Sequence, residues 1–96
     1  MLRSELIDML HHDNPHLNRA EMERVVAIVF ESITQTLEKG ARVELRGFGT
    51  FSTRKRDART GRNPRTGEPV HVPEKHVPFF RAGKELKAQV DASKNA

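Results

Sequence analysis

The residues with chemistry to offer are cations. Arg54, Lys55, Arg56, Arg59, Arg62 and Arg65 lie close together in one polar stretch. Guanidinium groups hold a fixed charge and present paired N–H donors, which suits them to phosphate oxygens rather than to proton transfer. Asn63-Pro64 and Thr66-Gly67 mark a turn in the middle of the run. Pro64 has two readings there: it stiffens the turn, or it offers a rigid apolar wedge that can enter a stack of bases. Glu44 and Arg46 form a second constellation. Two apart on a strand they share a face, either as an exposed ion pair or as an arginine steadied by a carboxylate and aimed at a groove.

Other chemistries lack their residues. His11, His12 and His16 have neither HExxH spacing nor a placed carboxylate, so they read as solvated loop histidines and no metal is expected. His71 and His76 flank the return of the basic stretch and read as polar contacts. The segment from Gly61 to Gly67 has no following Lys-Ser/Thr, and Gly47-Phe48-Gly49 lacks the third glycine of a dinucleotide fingerprint. No nucleophile elbow and no recognisable Ser/His/Asp arrangement is present. The expectation is a protein that is not an enzyme, with no cofactor and no small-molecule substrate.

Charge is divided along the chain. Residues 1–41 carry four Lys/Arg and seven Asp/Glu, whereas residues 42–96 carry thirteen and six. An acidic half followed by a basic half describes a folding body with a polyanion-binding surface attached. The 96 residues make one domain, 35% hydrophobic, whose five aromatics are all Phe. That is thin material for a core unless a second chain shares it. There is no cysteine, no membrane-length apolar run and no signal-peptide pattern at the start, so a cytoplasmic location is expected.

The elements that must position the cations follow from periodicity. Leu6, Ile7 and Leu10 recur at helical spacing and predict a helix over 3–13, broken by Asn14-Pro15. A second helix opens at Asn18, an N-cap with Glu21 in the capping-box position, and ends at Gly40. Met22, Val25, Val26, Val29, Ile33 and Leu37 line one face. Ala27, Ile28 and Phe30 carry the apolar surface nearly round the helix, which therefore needs two things to pack against. Alternation then predicts strands at 42–46, about 50–56 and about 76–81, with Phe48, Phe51, Val77 and Phe79 entering the core. Between them, residues 53–75 hold only Ala58, Val70 and Val72 as apolar residues. Their flanks pair as a long two-stranded arm, mobile when free because a ribbon with no packed face is marginal in water. A short helix over 83–91, with Leu86 and Val90 inward, precedes a frayed tail at 92–96.

The run Arg46-Gly47-Phe48-Gly49-Thr50-Phe51, then Arg59-Thr60-Gly61-Arg62-Asn63-Pro64-Arg65-Thr66-Gly67, then Val77-Pro78-Phe79-Phe80 and Gly83-Lys84-Glu85-Leu86, resembles the bacterial HU/integration host factor family over nearly the whole chain. The resemblance implies an α+β fold: an intertwined helical dimer body with a short antiparallel sheet and one extended two-stranded β-ribbon arm per chain. Residues 1–41 then serve dimerisation, and Val25, Val29, Phe30, Ile33, Phe48, Phe51 and Phe79 form the shared core. It implies a double-stranded DNA partner, reached through the minor groove and sharply bent by intercalation of Pro64. The implied contacts are Arg3, Ser4, Arg42, Glu44 and Arg46 on the body, and Arg54, Lys55, Arg56, Arg59, Arg62, Asn63, Pro64 and Arg65 along the arm. Lys75, His76, Lys84 and Lys87 complete them. Arg46 before Gly47-Phe48-Gly49, with Ser4-Glu5-Leu6-Ile7, further implies a beta-type subunit paired with a homologous alpha-type chain, acting in recombination, replication and transcription control within the bacterial nucleoid. The alternatives are an HU-like homodimer with little sequence preference, or an RNA-binding protein that uses the basic arm.

Overall fold

The computed structural model describes residues 1–95, the side chains of 94 and 95 excepted. The elements, in chain order, are α1 (Arg3–Asp13), α2 (Arg19–Glu38), β1 (Val43–Leu45), β2 (Gly49–Arg56), β3 (Arg59–Arg62), β4 (Pro69–Val72), β5 (Lys75–Ala82) and α3 (Lys84–Asn95). They divide into two compact units, Met1–Gln35 and a second beginning at Thr36.

In the first unit both helix starts follow their local chemistry. The Glu5 carboxylate accepts the Leu2 backbone N–H at 2.9 Å. At α2 the box is reciprocal: Asn18 Oδ1 accepts the Glu21 N–H at 2.8 Å, and Glu21 Oε1 accepts the Asn18 N–H at 3.2 Å. Each bond satisfies an amide that the helix cannot pair internally. Asn14 Nδ2 donates to the Leu10 carbonyl at 2.9 Å and closes the α1 end before Pro15. The two helices bury Ile7, Met22 and Val26, with Leu10 and Leu17 packed against them. The rest of α2's apolar surface is open: Val25, Ile28, Val29 and Phe30 are each between 43% and 53% exposed. Open apolar surface on this scale is characteristic of interaction sites in proteins generally.

The second unit begins within the last turn of α2. Gly40 takes φ 78°, and its N–H donates to the Leu37 carbonyl at 2.9 Å, the left-handed cap expected of a glycine there. An antiparallel sheet in the order β1-β2-β5 follows, and β3 pairs with β4 as a separate ribbon. Gly49 is buried beneath β5. A Cβ at this position would lie 2.5 Å from the Phe80 ring and 2.6 Å from the Arg81 carbonyl oxygen, so only glycine lets the strands close here.

The structure corrects three expected boundaries. β2 and β5 remain paired to the register Arg56↔Lys75, so the first residues of the expected arm belong to the sheet. The separate ribbon spans only Arg59–Val72, set off by Asp57-Ala58 on one side and Pro73-Glu74 on the other. Helix α3 runs on to Asn95 instead of ending near Asp91: no Gly or Pro interrupts Ala92-Ser93-Lys94-Asn95, and Ser93 Oγ donates to the Val90 carbonyl at 2.8 Å. Of the expected frayed tail, Ala96 lies outside the described residues.

Candidate nucleic-acid interface

Residues paired across an antiparallel ladder project to the same face, and neighbours along a strand project to opposite faces. The registers Thr50↔Arg81, Ser52↔Phe79, Arg54↔Val77 and Arg56↔Lys75, with Glu44↔Thr50 on β1, therefore define one face. It carries Arg54, Arg56, Lys75 and Arg81 against a single carboxylate, Glu44. The other face holds Val43, Leu45, Phe51 and Phe80, and continues toward the ribbon through Thr53↔Pro78 and Lys55↔His76. Phe80 lies 4.7 Å from Phe51 and 5.3 Å from Phe48 between ring centroids, in tilted geometry. The sheet is cationic on one side and aromatic on the other.

This parity divides the residues expected in the core between the two faces. Phe79 does not join Phe48 and Phe51; Phe80 does. Phe79 stands on the cationic face, where the Arg54 guanidinium lies 3.5 Å from its ring centroid. The reason is register: Phe80 sits opposite Phe51, so its neighbour Phe79 must point the other way. Val77 shares the Phe79 face and is likewise not with the aromatic cluster. Arg81, which the sequence reading passed over, joins the cationic face by the same parity.

The Glu44 and Arg46 constellation also resolves differently. Glu44 Oε1 pairs with Arg42 at 2.6 Å, not with Arg46. Both partners are well exposed, and such a pair contributes about 0–1 kcal/mol. Arg46 begins the turn after β1 and lines an open cleft with Glu44, Thr50 and Gly83. Lys55, on the aromatic side of the sheet, is held among acids: its Nζ is 3.3 Å from Glu74 and 3.8 Å from Asp57. His76 is its cross-strand neighbour.

On the ribbon, the register Arg59↔Val72, Thr60↔His71, Gly61↔Val70 and Arg62↔Pro69 puts Arg59 and Arg62 on opposite faces. Arg59 shares its side with Val70 and Val72, and Arg62 shares its side with Thr60 and His71. The tip is closed by main-chain and side-chain hydrogen bonds, among them the Glu68 N–H to Thr66 Oγ1 at 3.3 Å. Asn63 N–H donates to the Glu68 carbonyl at 2.8 Å, and Gly67 N–H donates to the Asn63 carbonyl at 2.7 Å. Asn63 Oδ1 accepts the Arg65 N–H at 2.9 Å, and Arg62 Nη1 donates to the Gly67 carbonyl at 3.1 Å. Asn63 and Arg62 thus brace the turn, while Pro64 and Arg65 are exposed on it.

The remaining candidates lie elsewhere. The Arg3 guanidinium sits 5.4 Å from the Phe30 ring centroid, with Ser4 exposed beside it in the first turn of α1. Lys84 and Lys87 are exposed in the first turn of α3, where the Lys87 N–H closes on the Gly83 carbonyl at 3.0 Å. Of the expected core residues, Val25, Val29, Phe30 and Phe48 are exposed, and Ile33 and Phe51 are half-buried. Among the described residues no helix is long and apolar enough to cross a membrane.

A chain with a cationic sheet face, a basic ribbon and an open apolar helix face is built to hold a polyanion. Comparison with known proteins agrees. Residues 1–91 match the family described as bacterial DNA-binding protein, and the chain belongs to that family. The chain is 36% identical to the HU of an Anabaena HU–DNA cocrystal structure, with a TM-score of 0.84, covering 94% of this chain and 97% of that one. It is 27% identical to HU from Thermotoga maritima, with a TM-score of 0.63, covering 94% and 98%. It is 29% identical to a mutant of transcription factor 1, with a TM-score of 0.68, covering 99% and 95%. The α+β fold is theirs, and the family is one of architectural DNA-binding proteins, not of enzymes.

Proposed function

We propose that this chain forms a dimer that lays its two ribbons along the minor groove of duplex DNA and bends it sharply, each Pro64 entering between two base pairs. The observation that carries the reading is the tip: Pro64 is exposed on a turn closed by main-chain and side-chain hydrogen bonds, at the end of a ribbon edged with arginine. A braced apolar ring loses little freedom on insertion, whereas a loose one would have to be ordered first. The dimer is supported by the open Val25, Ile28, Val29 and Phe30 surface on α2 and by the exposed edges of Phe48 and Phe80.

The energies are compatible. Bending a short site through a large angle costs about 1–6 kcal/mol, and parting a base step adds a few more. Charge neutralisation along the sheet and ribbons supplies the opposing attraction and makes it salt-dependent. Because the minor groove distinguishes bases poorly, sequence preference comes from which steps deform easily. Arg46 adds a local preference, acting without the Glu44 carboxylate that Arg42 occupies. Ligase-catalysed ring closure of a duplex near one persistence length, about 150 bp, tests the bending: the protein should accelerate closure strongly, and unchanged closure at saturating protein would reject it.

For the assembly, the Arg46-Gly47-Phe48-Gly49 and Ser4-Glu5-Leu6-Ile7 runs support a beta-type subunit paired with an alpha-type chain, acting in recombination, replication and transcription control within the bacterial nucleoid. The 36% identity to an HU seen with DNA favours the second reading, a homodimer with little sequence preference. Sedimentation of the chain alone separates them: a stable dimer that binds cognate and scrambled duplexes equally is HU-like.

A further inference from the structure

We infer that Phe79 is a positioning residue for DNA binding: its ring holds the Arg54 guanidinium in place on the cationic face of the β2–β5 ladder. The inference rests on the proposed DNA-binding reading and adds a residue to it. Three observations converge. Phe79 and Arg54 project from the same face of adjacent strands, their registers being Ser52↔Phe79 and Arg54↔Val77, one diagonal apart. The guanidinium carbon is 3.5 Å from the ring centroid, stacking contact rather than distant attraction. A large aromatic on the charged side of the sheet has no partner in the aromatic cluster on the other side, which Phe48, Phe51 and Phe80 make by themselves.

Stacking leaves the edge of a guanidinium free. The N–H donors lie in its plane, so a ring against one face fixes the plane without using a donor. Arg54 is the first of the run that includes Arg56, Arg59 and Arg62, and it is exposed above the ring. An arginine fixed in this way meets a phosphate or a groove edge with its side chain already ordered, so less freedom is lost on binding. Lysine could not replace it, because an ammonium is a point charge with no plane to stack.

The test is a duplex-binding series with thermal melts as a folding control. Phe79→Leu keeps an apolar side chain but removes the π face, and Phe79→Tyr keeps the ring. Phe79→Leu should weaken binding roughly two- to tenfold per arm, the range for ordering one long side chain. Phe79→Tyr should bind as the parent does. Arg54→Lys should match Phe79→Leu, and the pair Phe79→Leu with Arg54→Ala should bind no more weakly than Arg54→Ala alone. Equal losses in the Leu and Tyr variants, or additive losses in the pair, would overturn the inference in favour of simple packing. A parent protein that fails to bind duplex would instead reject the DNA-binding reading itself.

Discussion

Arg81 offers a prediction that depends on strand register. By parity it lies with Arg54, Arg56 and Lys75 on the cationic face. Each phosphate neutralised by a bound cation contributes about 0.9 to the slope of log affinity against log salt. Arg81→Ala should therefore lower the magnitude of that slope by about 0.9 per chain, or about 1.8 for a dimer. Over the range from about 50 to 200 mM salt, the parent would then lose about tenfold more affinity than the variant. Fluorescence anisotropy with an end-labelled duplex across that range reads the slope, and Arg81→Lys should restore it. Lys55→Ala is the contrast. Its ammonium is on the other side of the sheet and already faces Glu74 and Asp57, so the slope should change less. A parental slope in Arg81→Ala, or a larger change for Lys55→Ala than for Arg81→Ala, would refute the assignment of faces.

Gly49→Ala should destabilise the fold, because the new methyl would overlap the Phe80 ring and the Arg81 carbonyl oxygen. Overpacking of this kind costs about 1–3 kcal/mol, or roughly 4–20 °C in Tm for a domain of this size, read by calorimetry. Val29→Glu, at an exposed position on α2, should leave the Ile7, Met22 and Val26 cluster unaltered and abolish dimerisation. Sedimentation that still shows a dimer would place the interface elsewhere.

What the sequence made legible depended on whether a signal was local. The helix starts were readable because Asn18 and Glu21 act on neighbouring amides, and the end of α2 because Gly40 answers one backbone requirement. The basic stretch and its turn were readable for the same reason. The Phe79 and Phe80 pair was not: adjacent aromatics fit either alternation, and only pairing with Phe51, 29 residues earlier in the chain, decides between them. The same register decides the face of Arg81, which local spacing leaves open for the same reason. Glu44 has Arg42 and Arg46 at equal spacing on either side, so spacing cannot choose its partner. The turn beginning at Arg46 carries that arginine out of the strand, and Glu44 joins Arg42. The ion pair of Lys55 with Glu74 was not legible, because Glu74 lies across the hairpin and only the strand pairing brings it near.

The central claim is bending by a wedge at the ribbon tip. Energy transfer between dyes at the two ends of a short duplex, titrated with the dimer and with its Pro64→Ala variant, measures it most directly. The account predicts a large rise in transfer with the parent and little rise with the variant at matched occupancy. Equal transfer from both would contradict the wedge, and occupancy without any approach of the ends would contradict bending.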